Sequence, residues 1–117
     1  MEQRKQVIFA FNGDPMCFGH ALLNVLDLHE KGYDTMLIIE GAATKLLSSF
    51  EEGTNQFSEQ FFSCIEHGLI SGVCAACSHA MRTQETAKRM KLTLLGDMHG
   101  HPSMEEYIEA GYNIITL

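Results

Sequence analysis

Two periodicities take turns along this chain, and their alternation decides most of its architecture. Val7-Ile8-Phe9-Ala10-Phe11 is a continuous apolar run, the pattern of a strand covered on both faces. After Asn12-Gly13-Asp14-Pro15, apolar residues recur at Phe18, Ala21, Leu22, Val25 and Leu26, the one-sided spacing of a helix, and Gly32 stops it. Asp14 has the chemistry of an N-cap and Pro15 suits the first helical position. Thr35-Met36-Leu37-Ile38-Ile39 reads as a second strand, closed by Glu40-Gly41. Ala43, Leu46, Leu47 and Phe50 mark a short helix. A polar break follows, and Phe57, Phe61, Cys64 and Ile65 mark another helix that Gly68 stops. The third strand is expected over about 69–75, and then a helix capped by Ser78 that runs to Arg89. Leu92-Thr93-Leu94-Leu95 is the fourth strand. Ser103-Met104-Glu105-Glu106 has the spacing of a capping box, whose short helix ends at Gly111. The last strand is expected over 112–116.

Strands that alternate with helices imply βαβ units, a parallel sheet and right-handed crossovers. The expected fold is a single α/β domain over residues 1–117. It is a three-layer α/β/α sandwich of about five mostly parallel strands with helices on both faces. At 117 residues, 45% apolar and 20% charged, the chain can bury such a core without staples. The pattern leaves the strand order open. In sheets of this kind, reacting groups collect beyond the carboxyl ends of the strands, and that rule selects the candidate residues.

Composition removes several function classes. No run approaches the roughly 20 apolar residues of a membrane helix. Met1-Glu2-Gln3-Arg4-Lys5-Gln6 leads directly into a strand-like segment without the apolar core of a signal peptide, so a cytoplasmic location is expected. Net charge is −7, with no basic cluster longer than Arg4-Lys5 or Lys88-Arg89, which argues against a phosphate-backbone partner. Neither nucleic acid nor membrane is expected as a partner.

In a reducing compartment the four cysteines are core, ligands or nucleophiles rather than a disulfide framework. Cys74 and Cys77 form a C-x-x-C pair where the third strand hands over to a helix. Unpaired amides and the helix dipole there favour a reactive thiolate; otherwise Cys74 is a small core residue. Cys17, just after strand one, is either a third ligand or relay partner on the same rim, or simply a residue at a helix start. Cys64 lies on an apolar stripe and reads as core. His99 and His101 flank Gly100 at the strand-end rim, with the chemistry of acid/base groups or metal ligands. His20 and His79 are further cleft candidates, the latter directly after the cysteine pair. His29 and His67 read as surface residues near helix C-termini. The turn Asn12-Gly13-Asp14 offers amides to an anion, or is an ordinary capped turn. No Gly-rich nucleotide motif follows it.

Through Gly68-Leu69-Ile70-Ser71-Gly72-Val73-Cys74-Ala75-Ala76-Cys77 the chain resembles the DsrE/DsrF-like family, which carries a Gly, a strand and a Cys, often with a second Cys three residues on. The opening strand with its Asn12-Gly13-Asp14-Pro15 turn is similar as well. So are Gly41-Ala42-Ala43-Thr44-Lys45-Leu46-Leu47 and the closing Ala110-Gly111-Tyr112-Asn113-Ile114, so the similarity spans essentially the whole chain. The resemblance implies a five-stranded parallel sandwich that forms homo-oligomers. It also implies a persulfide-carrying cysteine, which maps onto Cys74, with Cys77 as the common second thiol. The chain departs from the family pattern in two places. Ser78-His79-Ala80-Met81 precedes Arg82 where a basic residue or Gly usually follows the cysteines, and Cys17 and the His99/His101 pair are additions.

Three functions are therefore expected to compete. A sulfur carrier or sulfurtransferase would use Cys74 and Cys77 as catalytic thiols, with a protein sulfur donor or acceptor. A metal-binding or thiol-redox module would hold zinc or iron with ligands drawn from Cys17, Cys74, Cys77, His99 and His101. A non-catalytic subunit of an oligomer would use none of them.

Overall fold

The computed structural model describes residues 4–117. Met1, Glu2 and Gln3, the start of the segment read as lacking a signal-peptide core, lie outside the described residues. Strands β1 (Lys5–Ala10), β2 (Asp34–Ile39), β3 (Ile70–Cys74), β4 (Leu94–Leu95) and β5 (Asn113–Thr116) form one sheet in the order β4-β3-β2-β1-β5. Every pairing is parallel. The helices are α1 (Pro15–Glu30), a 3-10 turn (Gly41–Leu46) continuing into α2 (Leu47–Glu52), α3 (Ser58–Glu66), α4 (Ala75–Ala80), α5 (Gln84–Arg89) and α6 (Glu105–Glu109). No described helix is long and apolar enough to cross a membrane.

The strand order explains how the layers divide. From β1 to β4 the chain steps across the sheet in one direction, so right-handed connections place their helices on one face. The return from β4 to the edge beside β1 places α6 on the other face. Side chains follow the two-residue alternation of strands. Ile8, Ala10, Leu37, Ile39 and Val73 join Phe18, Leu22, Phe50, Phe61 and Cys64 in the main core. Val7, Phe9 and Ile38 face Tyr107 of α6 in a smaller cluster. Helices do lie on both faces, but among the described residues the second face is covered by one five-residue helix.

The aromatic centre of the main core is Phe50 and Phe61, stacked with centroids 4.2 Å apart, with Phe18 at 5.6 Å from Phe50. Cys64 is fully buried in this core, as its place on the apolar stripe implied. Glycine permits the closest approach in this layer. A Cβ on Gly19 would meet the Phe57 ring at 2.3 Å, so α1 and the start of α3 touch through backbone against an aromatic face.

The α1 start follows its sequence chemistry. Asp14 Oδ1 accepts from the amides of Met16 and Cys17 at 2.9 and 3.1 Å, and Asn12 Oδ1 accepts from the Asp14 amide at 2.8 Å. The Asn12-Gly13-Asp14 segment is thus a capped turn whose own side chains take up its amides.

The helix expected from Ser78 to Arg89 is two helices. Its cap is Cys74 rather than Ser78, whose hydroxyl donates to the Ala75 carbonyl from inside the first turn. Arg82 adopts a left-handed φ of 60°, and the buried Thr83 hydroxyl donates to the Thr44 carbonyl at 2.8 Å. That bond ties the break to the 3-10 turn and turns α5 so that Ala87 reaches the core. The fourth strand is shorter than expected, two residues long. The capping box forms only in part. The Ser103 hydroxyl accepts from the Glu105 amide at 3.2 Å, while the Ser103 amide donates to Asp97 Oδ1 and not to a glutamate three residues on.

Candidate metal and thiol site

Three carboxyl strand ends build the site. At the end of β2, Glu40 is 6% exposed, and its amide donates to the Ala10 carbonyl. Its carboxylate makes no hydrogen bond or ion pair among the described residues. Burial raises its pKa to about 7. At the end of β3, Cys74 is fully buried and caps α4 through its sulfur, which accepts from the Cys77 amide at 3.2 Å. A register shift between β2 and β3 pairs Leu37 with Ile70 and Ile38 with Gly72, so Ser71 is the extra residue. Such bulges re-aim the residues that follow them. The Ser71 hydroxyl is free of the ladder and meets the Tyr107 hydroxyl at 3.0 Å.

The third contribution comes from the loop after β4. Met98 and His101 exchange both backbone bonds, at 2.8 and 2.9 Å, around His99 and Gly100, which have φ of 53° and 92°. Two successive positive φ values in a two-residue loop define a type I′ turn, a geometry that favours glycine at its second position. The turn docks on α4, where the Gly100 carbonyl accepts from the Ala76 amide at 2.8 Å. His101 is thereby aimed back at the cysteines, with Nδ1 at 3.3 Å from Cys74 Sγ and 3.6 Å from Cys77 Sγ. A Cβ on Gly100 would sit 3.2 Å from the Ala76 Cβ at a φ of +92°. Gly100→Ala is therefore expected to cost about 1–3 kcal/mol, from left-handed strain and crowding together. Denaturant melts would show this, and His101 should become more solvent-reactive in the folded protein.

Glu40, Cys74, Cys77 and His101 bring one donor atom each within 4.8 Å of one another, an arrangement that can hold a metal ion. Of the expected site residues, the structure brings Cys74, Cys77 and His101 together. His99 is exposed and serves the turn instead. Cys17, His20 and His79 are exposed and outside the cluster, and Asn12 and Asp14 are spent on the α1 cap. Glu40 was not anticipated. The available signal was its place directly after a buried strand, at the same rim that singled out Cys74.

Electrostatics change the expected behaviour of the thiols. A helix start was expected to favour the Cys74 thiolate. Burial, reinforced by the neighbouring Cys77 thiol, instead pushes its pKa up to about 12, outweighing the amide bond from Cys77 that favours the anion. Cys77 is partly exposed. In metal-free protein the site therefore holds a neutral Cys74 thiol beside a Glu40 carboxyl group that protonates near neutral pH.

This has a stability consequence. Glu40 has an ordinary pKa of 4.5 when unfolded and about 7 when folded. Between these values the native state binds more protons than the unfolded state, so stability falls as pH rises through that window and levels off above it. Metal-free protein is expected to be more stable at pH 4.5 than at pH 7.5 by on the order of 2 kcal/mol from this group. Glu40→Gln should abolish that slope in urea titrations across the range. An unchanged slope would place the carboxylate in water.

Relatives bring kinship without chemistry. The chain is 34% identical over 98 residues to the uncharacterized protein MJ0733 of Methanocaldococcus jannaschii, a match covering 84% of this chain and 78% of that protein. It is 46% identical over 54 residues to an uncharacterized protein of Archaeoglobus fulgidus, covering 46% of this chain and 88% of that one. No family model matches the chain. No solved structure matches it either.

Proposed function

The chain belongs to one family with the protein MJ0733 of Methanocaldococcus jannaschii, and we propose from its donor cluster that it is a metal-centre protein holding zinc or iron through Cys74, Cys77 and His101, with Glu40 at the fourth position. One observation carries this reading. Bonds of about 2.3 Å to sulfur and about 2.0 Å to imidazole, at a tetrahedral angle, separate a sulfur from a nitrogen by about 3.5 Å. The two sulfurs lie 3.3 and 3.6 Å from His101 Nδ1. Two thiolates and an imidazole suit borderline to soft ions, and a carboxylate completes a set common to zinc and iron. The Cys77 amide that points at Cys74 Sγ supports a ligating thiolate, because a hydrogen bond to the charged form favours it. A bound cation would also offset the cost of burying Glu40 and two thiolates side by side. Bound there, the ion would supply Lewis acidity. The α4 cap and the docked type I′ turn hold Cys74 and His101 where they would ligate it.

Metal analysis of freshly purified protein tests this. About one equivalent of zinc or iron per chain is expected, falling to background in a Cys74→Ser, Cys77→Ser double variant. Substoichiometric metal across preparations, with no uptake of added zinc or cobalt, would rule the reading out.

A second reading keeps the sulfur-relay function that the DsrE/DsrF-like resemblance implied, with the roles of the thiols exchanged. It is favoured by the difference in exposure, since Cys77 is partly exposed while Cys74 is sealed. Cys77 would then accept sulfane sulfur from a donor persulfide, and Cys74 would resolve it. Intact-mass measurement after incubation with a persulfide donor tests this. An adduct of one sulfur atom that survives Cys77→Ser counts against it.

A further inference from the structure

The donor cluster opens on one side into a pocket of about 370 Å³, whose walls include Phe11, Glu40, Met98, His101, Pro102 and Met104. Two of the four donors, Glu40 and His101, belong to that wall. The two sulfurs do not, so the pocket meets the site on its oxygen and nitrogen side. Closed structural sites are enclosed by their ligands, whereas reactive ones keep an approach for an outside molecule. Four of the named wall residues are apolar, two of them polarizable thioethers. The remaining lining is Ser103 and Glu105, so among the described residues no Lys or Arg lines the pocket, and two carboxylates do. The net charge of −7 adds to the repulsion of anions. The volume is near the lower end of the roughly 300–1,000 Å³ of small-molecule sites.

We propose that this pocket admits a small, uncharged, largely apolar thiol, which reaches the ion between Glu40 and His101. This rests on the metal-centre reading above. Sulfur is the donor to expect, because an ion already held by two thiolates is selected for softness. On ligation a metal–sulfur bond would form in place of the bond from Glu40 to the ion, the S–H bond would break and its proton would pass to the released Glu40 carboxylate; no electron changes hands.

The experiment uses the full chain loaded with cobalt(II), titrated with phenylmethanethiol and, separately, with the same thiol carrying a para-carboxylate. Cobalt bound to thiolates has charge-transfer and ligand-field bands in the near-ultraviolet and visible. Saturable changes in the ligand-field bands are expected with the neutral thiol, at an affinity about tenfold tighter than with the carboxylate-bearing one. Met98→Lys, at an exposed wall position, should shrink or invert that ratio, while Met81→Lys, at an exposed position outside the pocket, should preserve it. A cobalt-loaded protein whose bands ignore the neutral thiol overturns the proposal. So does equal or better binding of the anionic thiol to the unsubstituted chain, a ratio indifferent to Met98→Lys, or loss of the protein's cobalt to the thiol on desalting. Failure to develop thiolate-to-cobalt bands at all is a different result, seen before any thiol is added. It would overturn the metal-centre reading and this proposal with it.

Discussion

Cys74→Ser is expected to weaken zinc binding on the order of a hundredfold. Structural zinc sites release about 10–16 kcal/mol at neutral pH, so one donor in four is worth about 3 kcal/mol, which is about two decades in affinity. Serine nearly preserves the volume at this buried position, so packing alone does not produce the loss. A hydroxyl also stays protonated at neutral pH, so the position would offer a neutral oxygen in place of an anionic sulfur. Glu40→Gln should cost less, because it removes a ligand and the penalty of burying a carboxylate in the same step. Competition against a chromophoric chelator at fixed pH measures both. His101→Ala supplies a control of a different kind, since that side chain is carried by a loop and can be truncated without emptying a core position. Equal zinc affinity in all three variants would mean that the sulfurs, the carboxylate and the imidazole are neighbours for some other reason. A graded loss, largest for the buried thiol, follows from ligation alone.

Much of the architecture behind that site was legible because local chemistry and tertiary packing agree. Val7 to Ala10 of the continuous run lie in a strand buried on both faces, while Phe11 falls just past its end and is exposed, and Asp14-Pro15 begins a helix because cap and fixed φ suit the same place. The strand-end rule drew attention to Cys74 and His101, whose Sγ and Nδ1 lie 3.3 Å apart. It failed to separate His99 from His101, since both follow the same strand. A type I′ turn separates them by sending one side chain to solvent and the other toward the sulfurs. Glu40 was passed over because a glutamate after a strand reads as a solvated terminus, and only its burial against other strand ends gives it a role. The split of α4 from α5 was invisible for a related reason. Nothing local in Met81-Arg82-Thr83 forbids helix, and the bond from Thr83 to a carbonyl 39 residues away decides it. Sheet order is likewise a long-range property, and from it comes the uneven cover of the two faces.

Phe61→Ala is expected to be the most damaging single change to the fold, at about 4 kcal/mol. The ring is fully buried, stacks on Phe50 at 4.2 Å with planes only 10° apart, and meets Phe62 edge-on at 5.7 Å. Truncating a buried Phe to Ala costs about 3–5 kcal/mol from lost transfer and the remaining cavity, and the broken stack adds to it. A domain of this size has only about 5–15 kcal/mol in total, so the variant should melt about 15 °C lower. Phe62→Ala, one residue away but 45% exposed, should cost less than about 1 kcal/mol. The contrast matters more than either value. Neighbouring positions on one helix share propensity, composition and charge, so only the direction of each side chain separates them. Urea melts at two wavelengths would show whether unfolding stays cooperative. The folded fraction of Phe61→Ala should still take up metal with unchanged stoichiometry, because its ring belongs to the core cluster shared with α1 and α2, which includes none of the four donors. Equal destabilisation by the two substitutions would mean that α3 is rotated about its axis from the described packing.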